Sequence, residues 1–106
     1  MRISRRTLLL ALLVALSPST GLAQSTPAAL FCTYAGTNYP ATIQAVAGVP
    51  TVGTPGNDVI RGTNGPDVID SGGGNDIICG RGGADRITGR DGNEAITGDS
   101  GNDIIT

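Results

Sequence analysis

The chain of 106 residues carries 17 glycines, 3% aromatic residues, no His and no Trp, with a formal net charge of −2. A length of this order holds one small domain, and so few large side chains exclude a conventional close-packed core. Without His, a His-ligated zinc enzyme, a Ser-His-Asp hydrolase and a Cys-His protease are excluded.

The charge is unevenly placed. Arg2, Arg5 and Arg6 crowd the N-terminus, whereas all nine acids lie beyond residue 57, opposed there only by Arg61, Arg81, Arg86 and Arg90. The C-terminal half is thus an acidic surface that repels nucleic acid and attracts cations.

Residues 1–23 read as a signal peptide. Arg2, Arg5 and Arg6 form a charged n-region, Leu8 to Leu16 an apolar h-region, and Gly21, Leu22 and Ala23 a cleavage site of small residues, which gives a mature chain from Gln24. The alternative is a membrane anchor, but the apolar run is too short to span about 30 Å of hydrocarbon and Pro18 ends it. Arg5-Arg6 also resembles a twin-arginine signal, and either export route predicts a secreted chain with no membrane attachment once the leader is gone. Residues 24–52 read as a Ser/Thr/Pro/Ala linker or N-terminal cap, with a short strand expected within Ala41 to Val46.

From Gly53 the sequence repeats every nine residues, in six units without a gap, beginning at Gly53, Gly62, Ser71, Gly80, Gly89 and Gly98. Position 4 is Gly in every unit, position 6 is an acid in every unit, and position 8 is always Ile: Ile60, Ile69, Ile78, Ile87, Ile96 and Ile105. Such a period fits neither an α-helix nor a long strand, but it fits a six-residue turn followed by a three-residue strand. Gly at position 4 predicts a backbone conformation that a β-carbon obstructs. In the strand, neighbours point to opposite faces, so an inward position 8 turns positions 7 and 9 outward. The fold class expected is all-β: a right-handed parallel β-roll, a β-solenoid over residues 53–106, with odd units stacked in one sheet and even units in the other.

Stacking places the position-6 carboxylates in two columns, Asp58, Asp76 and Glu94 in one and Asp67, Asp85 and Asp103 in the other. Coils about 4.8 Å apart would set each adjacent pair against the other by about 3 kcal/mol at an effective dielectric of 20. A cation between stacked turns removes that repulsion. The donors on offer are all oxygens, from carboxylates and from carbonyls exposed by Gly-rich turns, which suits Ca²⁺ rather than zinc, copper or the stricter octahedron of Mg²⁺. No EF-hand loop is present.

In these residues the chain resembles the hemolysin-type, or RTX, calcium-binding nonapeptide family, whose pattern is G-G-x-G-x-D-x-U-x with U a large aliphatic. The resemblance covers residues 53–106 and implies a parallel β-roll that binds several calcium ions, up to about four, each shared between turns. It implies side-chain ligands Asp58, Asp67, Asp76, Asp85, Glu94 and Asp103. It also implies backbone ligands around Gly53, Gly56, Gly62, Gly65, Gly74, Gly80, Gly83, Gly89, Gly92, Gly98 and Gly101. Glu94 departs by one methylene. Position 2 departs more widely, since Thr54, Thr63, Arg81, Arg90 and Asp99 stand where the family has Gly and only Gly72 conforms.

Two other architectures are weighed: an antiparallel array from the hairpin signals Asn64-Gly65 and Asp91-Gly92, and disorder of an acidic Gly-rich chain. Disorder is expected of the calcium-free chain. The functional expectation is a non-enzymatic extracellular calcium-binding module folded by calcium, because no nucleophile has a base beside it. The alternative is the repeat tail of a larger secreted toxin, hydrolase or adhesin. No feature identifies a protein partner. Finally, two Cys in an exported chain favour a disulfide between Cys32 and Cys79, against the alternatives of free thiols or intermolecular pairing. Cys79 sits at outward position 9 beside an apolar strip of Val59 and Ile77, which the residues around Phe31 are expected to cover.

Overall fold

The computed structural model describes residues 30–106, so the leader expected at residues 1–23 and the start of the linker lie outside the described residues. Among the described residues there are ten short strands and no helix. The first two, β1 (Phe31–Tyr34) and β2 (Thr37–Pro40), form an antiparallel hairpin. Ala35 and Gly36 turn it, both with positive φ, as a two-residue connection between right-twisted strands requires.

The remaining eight strands are β3 (Ile43–Gln44), β4 (Thr51–Val52), β5 (Val59–Arg61), β6 (Val68–Asp70), β7 (Ile77–Cys79), β8 (Arg86–Thr88), β9 (Ala95–Thr97) and β10 (Ile104–Ile105). They alternate between two parallel sheets, β3-β5-β7-β9 and β4-β6-β8-β10. Two strands and two turns make one coil, and four coils stack into a β-solenoid of the β-roll kind. Within the repeats, each residue pairs with the one eighteen later: Ile60 with Ile78, Ile78 with Ile96, Ile69 with Ile87. The stacked sheets begin before the nonapeptides, since Ile43 pairs with Ile60 and Thr51 with Ile69.

The core is a single file between the sheets. Ile60, Ile69, Ile78 and Ile87 are fully buried, flanked by the half-buried Ile43 and Ile96. Each such Ile contributes about 1.5 to 3 kcal/mol, so the column is continuous but thin. It fades at the last coil, where Ile105 is 47% exposed.

Position 1 amides reach the position 9 carbonyls of the next coil, as from Gly62 N to Cys79 O at 2.7 Å and from Gly80 N to Thr97 O at 2.7 Å. Position 7 amides reach back to position 6 carbonyls, as from Ile77 N to Asp58 O at 2.9 Å. The ladders therefore consume the main-chain groups on either side of each turn and hold the turns in register.

The hairpin lies over the outward face of the β3-β5-β7-β9 sheet, with β1 against β5, β7 and β9. A disulfide joins Cys32 to Cys79 with Cα atoms 5.5 Å apart, and both residues are buried. Arg61 Nε donates to Phe31 O at 2.9 Å, a second tie from the solenoid to β1. Under this cover Val59 and Ile77 are half-buried, whereas Val68 and Ile104 on the other sheet remain mostly exposed.

Candidate metal centre

Each turn ends in its position-6 acid just before the strand, so the strand ladder fixes where the carboxylate points. It points inward and down the stack. Asp58 N donates to Asp76 Oδ1, Asp67 N to Asp85 Oδ1 and Asp85 N to Asp103 Oδ1, all at 2.9 Å. One oxygen of each of these carboxylates is thereby tied to the coil before it, and Asp58, Asp67, Asp76 and Asp85 are buried. Glu94 makes no equivalent bond to Asp76 N, because its extra methylene carries the carboxylate away from the ladder.

The second carboxylate oxygen divides the turns into two kinds. In the first two, Thr54 N donates to Asp58 Oδ2 and Thr63 N to Asp67 Oδ2, each at 2.6 Å. The same threonines add their hydroxyls: Thr54 Oγ1 donates to the Asp58 carboxylate at 3.0 Å and Thr63 Oγ1 to Asp67 Oδ1 at 2.9 Å. These hydroxyls in turn accept from Gly56 N and Gly65 N at 3.1 Å. Side chain and main chain close these turns without help.

In the later turns position 2 is Gly72, Arg81, Arg90 and Asp99, all with positive φ (85°, 78°, 65° and 63°). Position 4 also turns left-handed there, at Gly74, Gly83, Gly92 and Gly101, whereas Gly56 and Gly65 do not. The strain expected at all six position-4 glycines is thus confined to four. With the position-2 peptide reoriented and no hydroxyl at that place, the second oxygen loses its donors. Asp76 Oδ2, Asp85 Oδ2 and Glu94 Oε1 are buried with no hydrogen-bond partner. A buried carboxylate oxygen left without a partner costs well over 1 kcal/mol, so something must answer it.

What surrounds these oxygens is main chain. A Cβ on Gly80 would run into Asp85 Oδ2 and approach Gly98 O. In that turn the Asp85 carboxylate and the Gly98 carbonyl of the next coil therefore converge on a space that Gly80 leaves open. Ser71 is the exception at position 1. It is fully buried, and its Oγ donates to Gly89 O at 2.9 Å, satisfying a position-1 carbonyl with a hydroxyl.

The electrostatics agree with an unanswered site. Burial holds the Asp85 carboxyl above its ordinary range; the Asp67 amide draws it down, and the charges of Asp67, Asp103 and Asp99 push it further up. A cation beside it would offset these raising effects by favouring the ionised carboxylate. Among the described residues no three Cys, Asp or Glu side chains gather at one point. A site built from three such side chains is therefore absent from them, and an ion there would draw on at most two carboxylates together with carbonyls. Hard oxygens in a flexible turn are the donor set that calcium takes. The residues present fit that ion at Asp76, Asp85 and Glu94.

Several contributors carry no strong sequence signal. Asn75 N donates to Asn57 Oδ1 at 2.8 Å and Asn93 N to Asn75 Oδ1 at 3.0 Å, a position-5 ladder in the odd column only, since Pro66 and Ala84 interrupt the even one. Asp70, outside position 6, pairs with Arg90, whose Nε donates to Asp70 Oδ1 at 2.6 Å and holds that carboxyl below its ordinary range. The closing role of Thr54 and Thr63 was available only as a Thr four residues before each Asp.

A family model, the RTX calcium-binding nonapeptide repeat in 4 copies, matches residues 52–87 and 80–105, which together span about half of the chain. No curated protein and no solved structure matches it.

Proposed function

The chain belongs to the RTX calcium-binding nonapeptide repeat family, and from that membership we propose a secreted, non-enzymatic calcium-binding module whose β-roll folds when calcium is bound. RTX nonapeptide repeats bind Ca²⁺, and a β-roll of this kind is typically non-catalytic. The observation that carries the proposal is the pair of buried carboxylate oxygens, Asp76 Oδ2 and Asp85 Oδ2, that have no partner in the protein. Bound calcium supplies the positive charge that such oxygens and their stacked neighbours require.

The residues divide the work. Asp76 and Asp85 stand in mid-column, each with one oxygen tied to the previous coil and one open, so they present a carboxylate at fixed orientation. Gly80 keeps space for an ion by lacking a Cβ, and Gly98 offers its carbonyl to the same space. The thin Ile column fixes the spacing of coils but is too small to hold them against stacked charge. Folding is then linked to calcium, because an ion that binds only the rolled chain stabilises it by mass action.

Calcium titration of the purified chain followed by far-UV circular dichroism tests this. The expected result is a largely unstructured chain in chelator that gains β-structure at calcium concentrations of about 10⁻⁴ to 10⁻³ M, the range of extracellular modules. Superimposable spectra with and without calcium would refute calcium-dependent folding.

A further inference from the structure

The two kinds of turn lead beyond the family pattern. Asp58 and Asp67 occupy the liganding position of that pattern, yet their carboxylates are already satisfied. Asp58 accepts from Thr54 N and Thr54 Oγ1, and Asp67 from Thr63 N and Thr63 Oγ1. Neither has an orphaned oxygen, whereas Asp76 and Asp85, each about 1% exposed, both do. We infer that calcium is bound at Asp76, Asp85 and Glu94 of the third to fifth turns and not in the first two, where the Thr54 and Thr63 hydroxyls stand in for the ion.

The substitution is chemically coherent. In the first two turns the hydroxyl accepts from the position-4 amide and donates to the position-6 carboxylate, so it bridges the two ends of the turn. Thr also keeps the turn in that form, because a β-branched residue strongly disfavours the positive φ that Gly72, Arg81, Arg90 and Asp99 adopt at position 2. To bind an ion as the later turns do, the first two would have to give up the amide and hydroxyl bonds to Asp58 and Asp67. The exchange is unfavourable where hydrogen bonds are already complete.

The inference rests on the calcium reading above and is tested separately from it by counting ions. Isothermal titration of the full chain with calcium chloride gives the number bound to the unaltered protein. Asp58→Asn combined with Asp67→Asn keeps an acceptor for each threonine and is expected to leave that number unchanged. Asp76→Asn combined with Asp85→Asn is expected to lower it. An equal loss from both pairs overturns the inference while leaving calcium binding intact. An unaltered chain that takes up no calcium overturns the calcium reading and the inference with it. Should the Asp58→Asn and Asp67→Asn chain fail to fold, Thr54→Gly combined with Thr63→Gly decides instead. Gly admits positive φ at position 2 and removes the hydroxyls, so ion uptake is expected to rise. An unchanged count there overturns the role given to the threonines.

Discussion

The first coil of nonapeptides and the two that follow share the repeat but not the way they answer the charge it creates. In the first, Thr54 and Thr63 close each turn on its own Asp with amide and hydroxyl bonds. In the later ones the position-2 residue swings into positive φ, and the carboxylate oxygens of Asp76, Asp85 and Glu94 are left without a protein partner. The same acid at the same position has both oxygens answered in one coil and keeps one oxygen unpartnered in the next. Conservation of a repeat motif therefore fixes where a carboxylate sits, while one neighbouring residue decides what it does there.

The disulfide offers the hardest way to break this contrast. Cys32 and Cys79 lock the hairpin over β5, which belongs to the closed coil, and over β7 and β9 of the open ones. Replacing both with Ser should cost about 4 kcal/mol, the chain-entropy value for a loop of this length, in urea unfolding at saturating calcium. A loss below about 1 kcal/mol would mean that the closed coil is held independently of the strap.

Next in size is the core that both kinds of turn share. Ile78→Ala should destabilise by about 3 kcal/mol, because it opens a cavity in a fully buried file with no second layer to collapse into it. Ile105→Ala, at the half-exposed end, should cost less than about 1 kcal/mol in the same assay. Equal losses would show that the column does not fade as described.

A smaller effect isolates the closed turn itself. Thr63→Val removes the hydroxyl that bridges Gly65 N and Asp67, and a loss of about 1 to 2 kcal/mol is expected. Thr88→Val, whose hydroxyl meets only Thr106 on the surface, should stay within about 0.5 kcal/mol. No difference between the two would remove the distinction drawn between closed and open turns.

The smallest effect is a pH dependence confined to the calcium-free chain. Asp85 in the folded state is raised above its ordinary value of 3.8, chiefly by burial. The fold therefore binds that proton more tightly than the unfolded chain does. Its contribution is complete below the unfolded value and is lost as pH rises through the folded one. In chelator, acidification toward pH 4 should restore some β-structure by circular dichroism, and Asp85→Asn should show it already at neutral pH. The Asp70–Arg90 pair works in the opposite sense, since a lowered carboxyl loses its contribution as pH falls, but it is too exposed to dominate. A calcium-free chain that is indifferent to both changes would argue against an unanswered charge at Asp85.

Much of this was legible beforehand. Six inward Ile at a nine-residue spacing require short strands joined by turns, and Ile60, Ile69, Ile78 and Ile87 form the buried file that this spacing demands. The two-column arrangement follows from the same arithmetic, since alternate units fall in one sheet. The hairpin at Phe31–Pro40 was not legible: its Thr- and Tyr-containing strands lack a clear alternation, and their partner face belongs to residues some thirty to fifty positions away. Ser71 gave no warning either, because its role depends on a carbonyl eighteen residues later.

By itself, then, the sequence determined the repeat, the inward Ile, the acid columns and the oxygen-only donor set, because each follows from local periodicity and from which residue types are present. Only the tertiary structure decided which carboxylates remain open. That outcome turns on the orientation of one peptide at position 2, on hydroxyls that reach across a turn, and on bonds between coils eighteen residues apart. Residue type alone does not set these; they are fixed when the coils stack and every buried oxygen must find a partner or be left without one.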